Sequence, residues 1–282
     1  MSARDIRRAA AAQLSAAGVP SAQVDAGLLL AFVLDRSVGE LVAVDELSDV
    51  DADRYRELVD RRARREPLQH IIGHVAFGPI ELEVGPGVFI PRMETELLYA
   101  WALTQIAEAP RPVVVDLCSG SGTLALALAV GHPGAVVHAV EIDAAAHKWL
   151  CHNLSRMPDE VRDRVVVHLG DAADPQILPD VLADLVVSNP PYIPEGADLP
   201  AEVSDHDPAR ALFGGADGMA VITPMISVVV RLLRPGGAVG IEHDDTTAAL
   251  VTDALEADGH FDSITQKNDL AERARFVTAM RR

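Results

Sequence analysis

The stretch VVVDLCSGSGTLALALA, residues 113–129, constrains this chain more than any other. Three consecutive valines read as a strand buried on both faces, because a half-exposed strand would alternate apolar with polar residues. The Ser/Gly run cannot continue that strand, and the alanine- and leucine-rich segment after it reads as a helix. A buried strand that passes through a glycine turn directly into a helix belongs to a parallel sheet with helices on its faces. Gly120 and Gly122 allow the sharp turn and let the backbone approach a ligand closely.

The same alternation recurs downstream. Helix 94–108 is expected to lead into strand 113–117, helix 123–130 into strand 136–140, and helix 144–156 into strand 165–169. Strand 184–188 runs into SNPPYIP, and helix 219–233 ends at RPGG, read as a helix stop and tight turn before strand 238–242. Helix 247–257 and two strands, 261–266 and 275–279, close the chain, the last pair as a possible antiparallel hairpin at one edge. The fold class is therefore α/β: a seven-stranded, doubly wound Rossmann-like sheet.

The first 70 or so residues follow a different period. Ile6, Ala10, Leu14 and Ala17 fall at helical spacing, with Gly18 and Pro20 as stops. Helices are expected near 22–35, 39–44 and 52–65. The last carries Arg54, Arg56, Arg61, Arg62, Arg64 and Arg65 beside Asp53, Glu57, Asp60 and Glu66. Its plain reading is a solvated face with i,i+4 pairs; the sharper one is a docking surface. HVAFGPIELEV alternates around a Gly-Pro turn and reads as a β-hairpin. The expected domains are a helical domain 1–72, a hairpin linker 73–91 and a catalytic domain 92–282.

Composition enters where it excludes partners. A formal net charge of −18 argues against a protein that grips duplex nucleic acid through many phosphates. Cys118 and Cys151 are too few for a disulfide framework and are read as reduced thiols. The alanine-rich start lacks an apolar h-region, and the run from Gly27 to Leu34 is far too short to cross a bilayer, so a soluble cytoplasmic protein without a membrane partner is expected.

GSGTLA fits the dinucleotide fingerprint, so a nicotinamide cofactor has to be weighed. Three carboxylates favour S-adenosylmethionine. Asp116 ends the first strand where the ligand would be cationic, a charge suited to a sulfonium and an α-amino group and unsuited to a pyrophosphate. Glu141 ends the second strand, in reach of ribose hydroxyls in either cofactor. Asp171 follows the third, placed to accept an adenine amino group. All three stand at carboxyl ends of successive strands, where open α/β sheets bind ligands.

Asn189-Pro190-Pro191-Tyr192 ends the fourth strand. Asn189 offers an acceptor oxygen, Pro190 an exposed carbonyl and Tyr192 a flat face for stacking. Such a group suits a planar substrate bearing an NH2. Two acceptors on the two hydrogens of an amide nitrogen would localise its lone pair and aim it at a methyl group. A base or an amide would fit that description.

With these residues in place, the sequence resembles the HemK-type protein glutamine N5-methyltransferases. PLQHIIG, PGVFIPRMETELL, DLCSGSG, SNPPYIP, EVSDHDPARALFGGADGM and DLAERARFV follow that family's order. The resemblance implies methylation of the glutamine of the GGQ motif in peptide chain release factors, with the helical domain as a docking module. It implies that S-adenosylmethionine is held by Asp116, Cys118, Gly120, Gly122, Glu141, Asp171, Ala172 and Asn189. It places the target glutamine against Asn189, Pro190, Pro191 and Tyr192, framed by Arg92 and Glu96. The alternatives are a glutamine of a ribosomal protein or an amino group of a base in nucleic acid. A monomer is expected, and no metal. Two departures stand out: Met93 and Glu94 follow Arg92 where proline and an acid are usual, and IEHDDTT at 241–247 replaces E-I-G. His243 and Asp244 are read as a variant turn, since no third ligand has metal-site spacing.

Overall fold

The computed structural model describes residues 2–269 and 271–282, so Leu270 of the DLAERARFV segment lies outside the described residues. The chain divides into two compact units, Met1–His74 with Leu199–His206, and Val75–Asp198 with Asp207–Arg282.

The first unit is helical. Helix α1 (Ala3–Ala16) starts at Ser2, whose hydroxyl accepts from Asp5 N, and buries Ile6, Ala10 and Leu14 on one face. Helix α2 (Ala22–Leu34) is apolar nearly all round and lies in the core. The short segment Val38–Ala43 is a 3-10 helix, and α3 (Asp49–Ala63) and α4 (Leu68–Ile72) complete the unit, α4 ending at Gly73 with φ 85°. Tyr55 is fully buried and donates its hydroxyl to the Ala26 carbonyl at 2.8 Å.

The arginine-rich helix α3 is not a uniformly solvated face. Arg62 is 5% exposed and donates from Nε to Asp25 at 2.8 Å and from Nη2 to Glu202 at 3.1 Å. Arg65 closes a two-pronged pair on the same Glu202. Burial pushes the Glu202 carboxyl up, but Arg65 and Arg62 outweigh it and hold it at about 2. Among the remaining arginines, Arg56 pairs with Asp53 one turn back and Arg61 with Glu66.

The second unit begins with the hairpin β1 (His74–Phe77) and β2 (Ile80–Glu83), of which His74 falls on the first unit's side of the division. Helix α5 (Thr95–Ile106) leads to β3 (Val113–Leu117), α6 (Thr123–Gly131) to β4 (Val136–Glu141), and α7 (Ala144–Ser155) to β5 (Val165–Leu169). Then come β6 (Ala183–Ser188), α8 (Ile222–Leu232), β7 (Leu233–Glu242), α9 (Ala248–Asp258), β8 (Phe261–Asn268) and β9 (Ala274–Arg281). Single helical turns lie at Ala201–Ser204 and Ala209–Leu212. The seven strands run in the order β5-β4-β3-β6-β7-β9-β8, parallel from β5 to β7 and antiparallel at β9 and β8.

Both faces are buried, which is why the strands read as continuous apolar runs. Val114, Leu185 and Val187 pack with Leu98, Leu126 and Leu128 on one side; Val115, Val186 and Val239 pack with Met225, Val229 and Leu255 on the other. The RPGG segment differs from the turn expected of it. Leu233 already pairs with Ala183, and pairing resumes at Leu185 with Ala238, so Arg234 to Gly237 form a bulge inside β7. Gly236 at φ 76° makes the bulge possible, and Arg234 anchors it to Asp184 at 2.5 Å. Leu117, Ser188 and Ile241 are register partners on β3, β6 and β7, so Cys118, Asn189 and Glu242 follow at one level, the first two beyond their strands and Glu242 as the last residue of β7.

Candidate active site

At the carboxyl end of β3 the chain turns through Cys118, Gly120 and Gly122, all in the left-handed region at φ 65°, 56° and 94°. That conformation is costly for a side chain other than glycine, yet Cys118 holds it. A Cβ on Gly122 would stand 2.5 Å from Leu150 Cδ1, so this glycine is needed for packing as well as for its backbone angle. A Cβ on Gly120 would meet nothing within 4 Å; it would project into open space.

Glu141 fixes the loop from the neighbouring strand. Its Oε2 accepts from Gly120 N at 2.8 Å, and its Oε1 from Asp143 N at 2.7 Å. Asp143 in turn caps α7 by accepting from Ala145 N and Ala146 N. Asp116 is 1% exposed; its Oδ2 accepts from Ala125 N at 3.0 Å, while its Oδ1 is buried without a partner. Burial pushes the Asp116 carboxyl up to about 7, with the Glu141 charge adding to the rise and the Ser119 and Ala125 hydrogen bonds opposing it. Burial likewise pushes Glu141 up, and it pushes the Cys118 thiol far up, which leaves that thiol neutral and unfit as a nucleophile.

These groups line a cavity of about 410 Å³, within the usual range for small-molecule sites. Of the residues expected to hold a cofactor, Asp116, Cys118, Gly120 and Glu141 line it from one side and Asp171 and Ala172 from another. Asn189, Pro191 and Arg92 also reach it. Arg92 stacks over the Phe89 ring at 4.7 Å and pairs with Asp207, whose side chain is fully buried. Four expected residues do not line the cavity. Gly122 supports the loop from behind, and the Pro190 ring is buried. Tyr192 packs into the core beneath α8. Glu96 turns away to accept from Gly78 N at 3.0 Å, holding the turn of the hairpin.

Asn189 donates from Nδ2 to Thr95 Oγ1 at 3.2 Å, and Tyr192 donates its hydroxyl to Glu242 Oε1 at 3.0 Å. Thr95 also bonds Glu242 through its side chain. Burial pushes Glu242 up to about 7, against the bonds from Thr95 and Tyr192 and the charge of Arg275, while Glu94 adds to the rise. Burial, with the Glu242 charge, pushes the Tyr192 hydroxyl well above its ordinary value, so it remains a donor. The motif's backbone is braced by residues 212–218: Ile193 N donates to Leu212 O, Gly214 N to Ile193 O and Glu195 N to Gly215 O, each at 2.9 Å.

Sequence reasoning passed over Thr95 and Glu242. The signal for Glu242 was present, since it is an acid at the carboxyl end of a parallel strand, the criterion that singled out Asp116 and Glu141. Thr95 lies between two residues that drew attention, Arg92 and Glu96, and only tertiary contact distinguishes it.

The chain is similar to known proteins over nearly all of its length. A family profile described as "PrmC N-terminal domain" matches residues 5–73, and one described as "Methyltransferase small domain" matches residues 87–204. A release factor glutamine methyltransferase of Mycolicibacterium smegmatis is 51% identical over 97% of this chain and 95% of its own length. Those of Corynebacterium glutamicum and Mycobacterium tuberculosis H37Rv are 48% and 45% identical, each over 96% of this chain and over 96% and 89% of their own lengths. Among solved structures, the hMettl16 catalytic domain in complex with MAT2A 3'UTR hairpin 6 superposes with a TM-score of 0.54 at 16% identity, covering 84% of this chain and 83% of that one; this likeness speaks for the fold alone.

Proposed function

Since this chain belongs to the release factor glutamine methyltransferase family, we propose that it transfers a methyl group from S-adenosylmethionine to the side-chain amide nitrogen of the GGQ glutamine in peptide chain release factors. The observation that carries this reading is one cavity lined both by Asp116, whose Oδ1 is a buried acceptor without a partner, and by Asn189.

The residues present fit the methyl donor. Asp116 Oδ1 is a buried acceptor without a partner, which a cationic ligand would satisfy and an anionic one would not. Gly120 leaves open the space that a side chain would occupy. Glu141, which accepts from backbone amides on both oxygens, keeps free lone pairs for ribose hydroxyls, and Asp171 and Ala172 are assigned to the adenine. When bound, S-adenosylmethionine supplies an electrophilic methyl carried on a sulfonium.

On the acceptor side, Asn189 Oδ1 and the Pro190 carbonyl are assigned to the two hydrogens of the glutamine NH2. Two acceptors on that group localise the nitrogen lone pair and orient it, so positioning and electrostatics supply the acceleration. The nitrogen–carbon bond forms as the sulfur–carbon bond breaks, and the nitrogen then sheds a proton to water. No covalent intermediate with the protein is required, in keeping with the neutral thiol of the half-buried Cys118. Arg92, held by Asp207 and Phe89, is assigned to framing the substrate, and the helical unit of residues 1–74 to docking it.

The test is incubation of the protein with methyl-labelled S-adenosylmethionine and a release factor, followed by mass spectrometry of the GGQ peptide. One methyl on the glutamine is expected. Label in a ribosomal protein or in RNA, with none on the release factor, would overturn the substrate assignment.

A further inference from the structure

An asparagine can meet an incoming amide in two opposite ways, because its side chain ends in an acceptor oxygen and a donor nitrogen. Only the oxygen can accept from a substrate NH2, so the orientation of the Asn189 amide decides whether the site works. That orientation is set by whatever holds the other end. Here Nδ2 is committed to Thr95 Oγ1 at 3.2 Å. Thr95 is 2% exposed, at the first position of α5, and its side chain is in hydrogen-bonding contact with Glu242. Glu242, 3% exposed at the end of β7, also accepts from the Tyr192 hydroxyl.

The direction of this chain is fixed at its far end. When ionised, the Glu242 carboxylate has no proton to give, so it can only accept from Thr95. Thr95 then has only lone pairs left for Asn189, which must present N–H to it. What remains to face the cavity is Oδ1. The same carboxylate grips Tyr192, so a single buried group holds both ends of the Asn-Pro-Pro-Tyr motif. We propose that Glu242 and Thr95 are positioning residues for methyl transfer: acting through Thr95, the Glu242 carboxylate locks the Asn189 amide with its oxygen toward the substrate nitrogen. This rests on Asn189 being the acceptor for the glutamine amide, as assigned above.

A double-mutant cycle on the full chain tests it. Thr95→Val keeps the shape and deletes the hydroxyl. It is expected to lower kcat on a release factor by about 10- to 100-fold, with methyl-donor affinity little changed and Tm lower, since buried polar groups lose a partner. Thr95→Ser, which restores the hydroxyl, recovers most of that loss. In an Asn189→Ala background, Thr95→Val costs less than about twofold, because the amide it orients is gone. Glu242→Gln, which aims a donor at the two hydroxyls, loses kcat in the same way and is likewise silent behind Asn189→Ala.

Full wild-type kcat in Thr95→Val, equal losses with and without Asn189, or a serine variant as impaired as the valine would each overturn the proposal. If Thr95→Val fails to fold, the Glu242→Gln and Asn189→Ala cycle decides the same question. A readout that needs no substrate separates this proposal from the functional one. The side-chain 15N amide signal of Asn189, assigned by its loss in Asn189→Ala, should show a hydrogen-bonded proton in wild type and a free one in Thr95→Val. Absence of that shift sinks the relay even where release factor is methylated; its presence upholds the relay even where some other amide proves to be the substrate.

Discussion

At the carboxyl ends of β3 and β4, carboxylates hold the main chain; at the ends of β6 and β7, side chains hold one another. Glu141 and Asp116 accept from the amides of Gly120, Asp143 and Ala125. Asn189, Thr95, Glu242 and Tyr192 form a chain of hydroxyl, amide and carboxylate. The difference follows from the two tasks. In the proposed reaction the first half would shape a cradle around a ligand, which backbone geometry does. The second would fix the direction of one polar atom, which a side-chain network of defined polarity does.

If the halves are separate devices, their variants should fail separately. The largest effect is expected for Asn189→Ala: kcat falls about 1,000-fold in single-turnover assays, while methyl-donor Kd by calorimetry stays within about fivefold. An equal loss of donor affinity would merge the two halves into one. Glu141→Ala should do the reverse, weakening donor binding about 100-fold through two lost loop anchors and the ribose contacts, with kcat at saturating donor within about threefold.

Acidity sharpens the contrast, because each half buries a carboxyl pushed up to about 7. Glu242 faces the Thr95 and Tyr192 hydroxyls, Arg275 of β9 and Glu94 ahead of α5. If, as proposed, it orients Asn189 only when ionised, kcat at saturating donor should rise about tenfold from pH 6 to pH 8. Protonation of Asp116 should appear instead in kcat/KM for the donor, since a bound cation draws its pKa down. For stability the sign is opposite. Both folded pKa values lie above those of the unfolded chain, so the native state holds protons that the unfolded state has released. Stability therefore falls as pH rises from about 4 through about 7, by on the order of 3 kcal/mol per group. Urea titrations across that range should show the decline, reduced in Asp116→Asn and in Glu242→Gln.

Glycines test the supports behind each half. A Cβ on Gly218, at φ 79°, would sit 2.3 Å from the Tyr192 carbonyl, and one on Gly122 would sit 2.5 Å from Leu150. Each alanine variant should lose about 2 kcal/mol in urea titration. Gly218→Ala should also lower kcat several-fold, and Gly122→Ala should weaken donor binding. The smallest effect is expected for Glu96→Ala. It removes one bond from the hairpin turn, for a Tm loss of about 2 °C and kcat/KM within twofold. A loss beyond about tenfold would return Glu96 to the substrate site.

The same contrast explains what could be read from the sequence. Asp116, Gly120 and Glu141 stand at fixed positions in successive strand-turn units, so local pattern was enough to bring them to one cavity, as it was enough for the strands and their helices. Thr95 and Glu242 acquire meaning only through partners 94 and 50 residues away, and no local period encodes those distances. Arg62 has the same difficulty: on a helix rich in charge it looks solvated, and only Asp25 and Glu202 reveal it as buried. Pro-Gly-Gly after α8 signalled a break correctly, but not that β7 had already begun at Leu233. Glu96 is the converse case, a charged residue inside a strong motif whose side chain accepts from Gly78 N in the hairpin turn.

The Leu199–His206 segment bears on how such a protein could be dismantled. It belongs to the helical unit although the chain on either side of it belongs to the other. A single cut near residue 74 would therefore not yield two whole modules. It would strand Glu202 apart from Arg62 and Arg65, leaving a buried guanidinium with half its counter-charge. Chimeras that exchange the helical unit between relatives should carry this distant piece along, and any grafting scheme drawn on contiguous sequence alone would separate groups that have to travel together.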